Sequence, residues 1–317
     1  MFNDPSLITG VNGFVGKHLA NLLMEKGRNV VGLDIQEASS LKDIAYFSVD
    51  ICDNDVIARI LNQVRPREIY HLAGVASPSD FHSTPFNSFK INILGSISLF
   101  DAMRTLLCET MLLSVGSSTE YKTNSLHNSL SETSPLEPTS FYGVSKYAAE
   151  IIGQYYVRHH NLDIRFTRSF NHTGPGQAPK FVCSDWARQV AHIEVNGSLP
   201  QIHVGNINVA IDFSDVRDVV EAYVLIMEKG KRGEVYNVCS RNKVNLSFIL
   251  EYLIKKSSAN ITVSKDKNKI AAPNSTAGII GANNKLCEQI GWSPKIPFEK
   301  TLDDLYDWWV KELKSEK

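Results

Sequence analysis

Short apolar runs alternate with segments of helical spacing through the first half of the chain. Apolar runs bounded by turn residues predict buried strands, and apolar residues that recur every three or four positions predict helices. The predicted strands cover residues 6–9, 29–34, 45–50, 68–74, 111–115 and 163–167. The predicted helices between them cover residues 17–24, 56–64, 89–107 and 142–160. Strands that alternate with helices indicate right-handed crossovers and a parallel sheet.

The pattern loosens after residue 170, where residues 171–177 are typical of a loop. Further on, the sequence predicts helices at 185–196, 218–230, 246–257 and 301–313 and a strand at 235–238. We therefore expect an α/β fold, with a Rossmann-type doubly wound parallel sheet and a smaller mixed C-terminal substrate domain. The expected division is 1–170 for the first domain, with a chain return at about 206–238, and 171–317 for the second.

Composition narrows the classes of function. The chain has 317 residues, 43% of them hydrophobic, and a formal net charge of −1, so neither a nucleic-acid-binding nor a membrane-surface protein is expected. The five cysteines form no CxxC pair, which disfavours a disulfide framework or a zinc site and favours a reducing, cytoplasmic location. We expect no signal peptide and no bilayer span, because the N-terminus lacks the pattern and no apolar run is long enough.

A glycine-rich loop separates the first strand from the first helix. It contains Gly10, Gly13 and Gly16, and an acid, Asp34, ends the next strand. Glycines let the backbone approach a pyrophosphate, and the helix N-terminus supplies free N–H groups. Asp34 would accept hydrogen bonds from an adenosine ribose and repel a 2′-phosphate, so NAD(H) is expected to be preferred over NADP(H). The alternative is a plain turn with extra glycines and a polar strand end.

Tyr142 and Lys146 lie four residues apart in a predicted helix, so their side chains share one face. An ammonium beside a phenol stabilises the phenolate, which would let Tyr142 exchange a proton near neutral pH. An ordinary amphipathic helix is the alternative, because this spacing is common by chance. The order of a glycine loop, then Ser117, then the tyrosine–lysine pair favours the chemical interpretation.

These motifs resemble those of the extended short-chain dehydrogenase/reductase family, which modifies nucleotide sugars. The resemblance rests on the glycine loop, the His-Leu-Ala-Gly turn at 71–74, the Gly-Ser-Ser strand end at 116–118 and the Tyr-Gly-Val-Ser-Lys motif at 142–146. Residues 167–177, 212–218 and 235–240 look most like the branch of GDP-linked 4-keto-6-deoxymannose reductases. The likeness covers nearly the whole chain.

The resemblance implies a role for each matching residue. Ser117 would hydrogen-bond the sugar oxygen at the reacting carbon, Tyr142 would exchange the proton there, and Lys146 would bind the nicotinamide ribose and lower the tyrosine pKa. The implied cofactor-binding residues, besides Tyr142 and Lys146, are Gly10, Gly13, Phe14, Val15, Gly16, Asp34, Asp50, Ile51, Leu72, Ala73 and Gly74. The implied substrate-binding residues are Ser118, Asn171, Lys180 and Arg241. His172 is a candidate base, with a structural role as the commoner alternative.

One departure from the family pattern limits the chemistry. Family dehydratases place an Asp-Glu pair directly after the catalytic Ser/Thr, where this chain has Ser118 and Thr119. Elimination of water is therefore not expected, because it needs an acid and a base. Glu120 comes one position later, and a strand period would point it away from the site.

A second departure concerns the nucleotide diphosphate. Close relatives carry arginines that clamp it, at positions where this chain has Ile211 and Ala272. Lys180 and Arg241 stand where relatives tend to have small residues, so these two cations are expected to compensate.

The resemblance implies reduction at C4 of a nucleotide-linked 4-keto-6-deoxyhexose, with a GDP-linked sugar as the best guess. An NAD-dependent nucleotide-sugar 4-epimerase would use the same residues, and a non-catalytic NAD-sensing protein on this fold is a further alternative. A homodimer is expected through helices 89–107 and 142–160, because their apolar faces are broader than one sheet face needs. The residues of these faces are Ile97, Phe100, Ile151, Ile152, Tyr155 and Tyr156, for which ordinary core packing is the alternative.

Overall fold

The structure, a computed structural model, describes residues 4–76, 81, 83–106, 109–122, 129–266 and 278–317. Its strands are β1 (Ser6–Thr9), β2 (Val30–Asp34), β3 (Ala45–Ser48), β4 (Glu68–His71), β5 (Met111–Ser117), β6 (Asp163–Ser169), β7 (Asn171–Thr173), β8 (Gln201–Val204), β9 (Ala210–Asp215), β10 (Val235–Val238), β11 (Lys243–Asn245) and β12 (Thr262–Lys265). Strands β1 and β10 have the predicted bounds, and β5 and β6 each extend two residues further.

Most of the predicted helices begin one to three residues earlier in the structure, the one predicted at 246–257 begins where expected but ends at residue 254, and one is interrupted. They are α1 (Phe14–Glu25), α2 (Asn54–Val64), α3 (Pro85–Phe89), α4 (Gly95–Arg104), α5 (Phe141–His160), α6 (Val182–Asn196), α7 (Val216–Lys229), α8 (Leu246–Ile254), α9 (Asn284–Ile290) and α10 (Phe298–Ser315). The single helix expected at 89–107 is wrong, because a π-helical turn, Lys90–Leu94, separates α3 from α4. Leu107, its expected last residue, lies outside the described residues.

A seven-stranded sheet organises the first part of the chain. Its strands are all parallel and lie in the order β10-β6-β5-β4-β1-β2-β3. The chain moves outward from β1 in one direction through β2 and β3 and in the other through β4, β5 and β6. This change of direction is the point at which doubly wound sheets bind ligands, beyond the carboxyl ends of the strands. The predicted fold class is confirmed.

Apolar side chains cover both faces of the large sheet. On one face α1 and α7 pack together, with Leu19 and Tyr223 fully buried. On the other face α2 and α4 pack together, with Ile57 and Phe100 fully buried. Burial of such a side chain stabilises the fold by about 1.5–3 kcal/mol. The two layers hold the strand ends, and therefore the loops that follow them, in place.

The C-terminal region has its own core, where α6, α8 and α10 enclose residues such as Trp186, Ile249 and Trp309. Two small sheets belong to this region, β11-β9-β7 and β12-β8. Pairing of β7 with β9 makes a strand of residues that the sequence predicted as loop. The chain returns to the large sheet as β10 beside β6, and α9 packs against β10. In the described ranges, no helix has the length and apolar character that crossing a membrane requires.

Candidate active site

The glycine loop lies between the end of β1 and the first turn of α1. Gly10 has φ +72°, and a Cβ there would lie 2.8 Å from the backbone nitrogen of Ala73. A Cβ at Gly16 would lie 2.3 Å from the carbonyl oxygen of Gly10. Only glycine fits these two positions, and no side chain caps the α1 N-terminus at Gly13. The predicted residues Phe14 and Val15 form its first turn, so the loop suits a dinucleotide pyrophosphate.

Asp34 ends β2 beside this loop. Its Oδ2 accepts the backbone N–H of Asn12 at 3.0 Å. The Asn12 side chain donates to the carbonyl oxygen of Ala38 at 3.0 Å and accepts the backbone N–H of Ser40 at 2.9 Å. Asn12, which the sequence reasoning missed, thus ties the segment after β2 to the glycine loop. Asp34 remains partly exposed, as binding a ribose requires.

The ends of β3 and β4 complete this edge of the sheet. Asp50 is exposed, whereas Ile51 is buried. Leu72, Ala73 and Gly74 follow β4 directly. The backbone N–H of Ala73 donates to Thr9 Oγ1 at 3.1 Å. Apart from Tyr142 and Lys146, the structure therefore brings the residues predicted to bind the cofactor to the carboxyl edge of β1 to β4 or to the first turn of α1.

His71 anchors the turn after β4. Its Nδ1 lies 2.9 Å from Thr9 Oγ1, and its Nε2 lies 3.0 Å from Ser96 Oγ. Burial lowers the pKa of His71 to about 3, so the ring is neutral at ordinary pH. A neutral ring joined to two hydroxyls links β1, β4 and α4 without adding charge near the site.

The structure brings the three predicted catalytic residues together. Ser117 ends β5, and Tyr142 and Lys146 lie on the first turns of α5, which the Ser140 side chain caps. The Ser117 hydroxyl lies near enough to the Tyr142 phenol to lower its pKa. Lys146 Nζ donates to the carbonyl oxygen of Val115 at 2.9 Å and lies 6.0 Å from the centroid of the Tyr142 ring. A carbonyl group near Ser117 and Tyr142 would thus meet two hydroxyl donors.

Burial controls the protonation of this set. It raises the pKa of Tyr142 to about 12, with the Ser117 hydroxyl opposing and the nearby Glu120 adding to the shift. It also lowers the pKa of Lys146 to about 8, against an opposing effect of Glu120. The lowered tyrosine pKa that we expected from Lys146 is not found, because burial of the phenol raises it. Tyr142 is therefore a protonated acid near neutral pH.

Asn92 supports the catalytic helix from the π-helical turn. Its Nδ2 donates to Ser145 Oγ at 2.9 Å and to the carbonyl oxygen of Val75 at 3.1 Å, and its Oδ1 accepts the Val75 N–H at 2.8 Å. These bonds join the segment after Gly74 to the residue that precedes Lys146. The sequence placed Asn92 on a long helix but gave no sign of the irregular turn that carries it.

Comparison with known proteins identifies the family. The family model described as GDP-mannose 4,6 dehydratase matches residues 7–305. The chain belongs to this family. Membership in the GDP-mannose 4,6-dehydratase family confirms the expected class, NAD(P)-dependent oxidoreductases of the extended short-chain dehydrogenase/reductase type.

The chain is also similar to proteins that are named for different reactions. GDP-6-deoxy-D-mannose reductase of Pseudomonas aeruginosa is 27% identical over 310 residues, covering 98% of each chain. RMD of Pseudomonas aeruginosa, solved with NADPH, has a TM-score of 0.82 and 26% identity over 97% of this chain and 99% of that chain. UDP-glucose 4-epimerase of Thermotoga maritima, solved with UDP-glucose, has a TM-score of 0.88 and 25% identity over 98% and 99%.

The family's dehydratase positions adopt a 3-10 turn here. Ser118 is buried, and Thr119 donates to Ser117 Oγ from its backbone at 3.2 Å and from its hydroxyl at 2.9 Å. The strand ends at Ser117, so the strand period that we applied to Glu120 was wrong. Glu120 is nevertheless directed away from solvent, with its Oε1 accepting the Ser117 N–H at 2.6 Å.

His172 packs where the C-terminal loop meets α1. Its ring stacks on Phe14 with centroids 6.2 Å apart, and its Nδ1 lies 3.0 Å from the carbonyl oxygen of Phe170. Burial lowers the pKa of His172. These contacts favour the structural role over the catalytic one. Asn171, the neighbouring predicted substrate residue, is partly buried at the start of β7.

The two cations expected at the diphosphate lie on the surface of the C-terminal region. Lys180 is exposed just before α6, and Arg241 is exposed in the turn between β10 and β11 with φ +66°. Ile211, which stands where relatives carry an arginine, is buried in the C-terminal core. Ala272 lies outside the described residues. The assignment of Lys180 and Arg241 to a diphosphate stays a prediction.

Proposed function

We propose that the chain reduces the C4 keto group of a nucleotide-linked 4-keto-6-deoxyhexose. The best substrate is GDP-4-keto-6-deoxy-D-mannose, giving GDP-D-rhamnose or GDP-6-deoxy-D-talose. One observation carries this proposal: the Ser117 hydroxyl, at the end of β5, interacts with the Tyr142 phenol, which is in its acid form near neutral pH. The likeness to GDP-6-deoxy-D-mannose reductase supports the choice of sugar.

The hydroxyl of Ser117 is oriented for donation. Its oxygen already accepts two bonds from Thr119, so its proton is directed elsewhere. Ser117 and Tyr142 together polarise the keto oxygen, and Tyr142 delivers its proton there. General acid catalysis of this kind contributes about a hundredfold to ten-thousandfold in rate. A bound reduced nicotinamide supplies the hydride.

Lys146 supports Tyr142 from one helical turn further along α5. With a pKa of about 8, it is mostly protonated at neutral pH and keeps a positive charge beside the phenol. That charge stabilises the phenolate that Tyr142 becomes as it gives up its proton. Lys146 is itself positioned by the carbonyl oxygen of Val115, on the strand that ends in Ser117.

Dehydration is not part of the proposed function, although the family is named for it. Removal of water needs an acid and a base next to the catalytic serine. Ser118 is buried there, and the Thr119 hydroxyl is committed to Ser117. We infer that GDP-mannose itself is left unchanged and that another enzyme must supply the keto sugar.

A 4-epimerase is the second candidate, favoured by the likeness to the UDP-glucose 4-epimerase of Thermotoga maritima. The two functions differ in their use of NADH. The test incubates the protein with GDP-, UDP- and dTDP-linked 4-keto-6-deoxy sugars and NADH, and follows absorbance and product stereochemistry. A reductase consumes NADH with one nucleotide series in preference, whereas an epimerase interconverts C4 epimers without net consumption.

We also propose a homodimer formed through α5. Part of the interface we expected belongs to the core, because Phe100 is fully buried and Ile152 and Tyr156 pack against that core. The outer face of α5 instead exposes apolar side chains at helical spacing, namely Phe141, Val144, Ile151 and Tyr155. These residues are 40–50% exposed, more than a chain that stays monomeric needs to leave open.

Light scattering at micromolar concentration tests the dimer. The unmodified chain should give twice the monomer mass, and Ile151→Asp should give the monomer. Leu199→Asp is the control, since Leu199 is 77% exposed and lies outside α5. A monomeric unmodified chain would refute the interface.

The described cysteines, Cys52, Cys183, Cys239 and Cys287, are all free, which supports our proposal of a reducing, cytoplasmic location.

A further inference from the structure

A buried group of charges lies directly behind the catalytic serine. It consists of Glu120, Glu150 and Arg168, carried by the 3-10 turn after β5, by α5 and by β6. The exposed fractions of the three residues are 0%, 8% and 4%. The protonation states of these two carboxyl groups and one guanidinium matter for stability, because an unpaired buried charge is strongly destabilising.

Four of the five N–H groups of Arg168 are engaged by other partners. Its Nε and Nη2 donate to the two oxygens of Glu150 at 3.0 and 2.6 Å. Its Nη1 donates to the Tyr121 hydroxyl at 3.1 Å and to the carbonyl oxygen of Glu132 at 2.9 Å. Glu150 and Arg168 therefore form a neutral, bidentate pair, and Glu120 is an additional acid beside it.

The two oxygens of Glu120 have different surroundings. Oε1 accepts the Ser117 N–H at 2.6 Å. Oε2 is buried, lies 3.6 Å from Arg168 Nε and accepts no hydrogen bond from a described donor. An ionised oxygen without a donor would be costly there. A protonated Oε2 can instead donate to the Glu150 carboxylate, with which Glu120 interacts.

The backbone makes room for this carboxyl group. A Cβ at Gly116 would lie 2.4 Å from Glu120 Oε1, so a side chain at that position would displace the carboxyl. A cavity of about 10 Å³, close to the smallest that can hold a water molecule, is lined by Gly116, Lys146 and Glu150 among others. Glu120 is also close enough to the Lys146 amine to affect its pKa.

We propose that Glu120 is a positioning residue for the catalytic serine, and that it acts as a neutral carboxylic acid. It holds the end of β5 through the Ser117 backbone and shares its proton with Glu150. In that form it adds no negative charge to that of Glu150 near Tyr142 and Lys146. This proposal rests on the proposed reductase function only for the predicted change in kcat.

The surroundings favour the neutral form. Burial and the nearby Glu150 raise the pKa of Glu120, while the Ser117 N–H and Arg168 oppose the shift, and the net pKa is well above its usual range. Below the pKa that Glu120 has in the unfolded chain, both states carry the proton and the free energy of unfolding is unaffected. As pH rises above that value, the unfolded state loses the proton while the folded state keeps it, so the folded state becomes less stable relative to the unfolded one.

The first test needs no substrate. Glu120→Gln imitates the neutral acid, since its amide can accept from Ser117 and donate to Glu150. The equilibrium constant for unfolding of the wild type, divided by that of Glu120→Gln, should rise about tenfold per pH unit above about pH 5. The variant therefore becomes more stable relative to the wild type as pH rises. Glu137→Gln, which replaces an exposed carboxylate, is the control and should give a constant ratio. A constant ratio for Glu120→Gln would overturn the neutral acid.

If Glu120→Gln does not fold, infrared spectroscopy of the wild type still decides the question. A carboxylic acid C=O band should persist at neutral pH and disappear on unfolding, and its absence would overturn the proposal.

The positioning role is tested by kinetics. Glu120→Leu should lower kcat about tenfold to a hundredfold with little change in cofactor affinity, and Glu120→Gln should keep most of the wild-type kcat. Equal kcat in Glu120→Leu and wild type would refute that role. Failure of the wild type to turn over any keto sugar would contradict the proposed function and leave the first test valid.

Discussion

Asp34 is the residue on which the choice between NADH and NADPH depends. Its two oxygens accept the backbone N–H groups of Asn12 at 3.0 Å and Gln36 at 3.3 Å, so the carboxylate is held at the end of β2. A charge-assisted hydrogen bond to a ribose hydroxyl is worth about 1.5–3 kcal/mol. A 2′-phosphate would lose that bond and meet a like charge. We therefore expect NADH to be preferred by about tenfold to a hundredfold in kcat/KM.

Two variants separate the charge of Asp34 from its contacts. Asp34→Asn keeps an oxygen for the Asn12 N–H and removes the charge, so it should lose most of the discrimination against NADPH. Asp34→Ala removes both, and should also weaken NADH binding because the segment held by Asn12 loosens. Titration of both cofactors followed by fluorescence, together with kcat/KM for each, measures the effect. Equal efficiency with the two cofactors in the unmodified enzyme, or an unchanged ratio in Asp34→Asn, would refute the reasoning.

Three further predictions concern the acid, the diphosphate and the buried histidine. Tyr142→Phe should lower kcat about a hundredfold or more with cofactor affinity nearly intact, and wild-type kcat/KM should fall above about pH 8 as Lys146 loses its proton. Near-normal turnover of Tyr142→Phe would show that another group is the acid. Lys180→Ala or Arg241→Ala should raise KM about tenfold to a hundredfold with a smaller change in kcat; if both leave KM unchanged in steady-state assays, the diphosphate is held elsewhere. Below about pH 6.5, His71 binds a proton in the unfolded chain but not in the folded one. The free energy of unfolding of the wild type, measured with urea, should therefore fall by about 1.4 kcal/mol per pH unit relative to that of His71→Asn as pH is lowered. A constant difference between the two would contradict the neutral ring.

The residues that lie at strand ends were predictable, because their position follows from the alternation of apolar runs. In a parallel sheet all carboxyl ends meet at one edge, so placing Gly10, Asp34, Gly74 and Ser117 after strands also placed them near one another. Tyr142 and Lys146 needed only the helical repeat. No structural information beyond element type was required for this part of the site.

Other features depend on tertiary contacts that the sequence does not display. Ser117 ends its strand in a 3-10 turn, so Glu120 is directed into the buried charge group instead of following the strand period. Asn92 lies in a π-helical turn that apolar spacing does not reveal. Phe100 and Ile151 are equally apolar on adjacent helices, yet one is fully buried and the other is 48% exposed. Only packing distinguishes them, because Phe100 contacts the core whereas Ile151 lies on the outer face of α5.

The stoichiometry of NADH oxidation tests the proposed function most directly. The enzyme is incubated with a measured amount of GDP-4-keto-6-deoxy-D-mannose and excess NADH, with Tyr142→Phe as the matched variant. The account predicts one NADH oxidised for each 4-keto sugar consumed, formation of a single C4 alcohol, and a much slower reaction in the variant. Interconversion of C4 epimers with no net oxidation of NADH, or full activity in Tyr142→Phe, would contradict it.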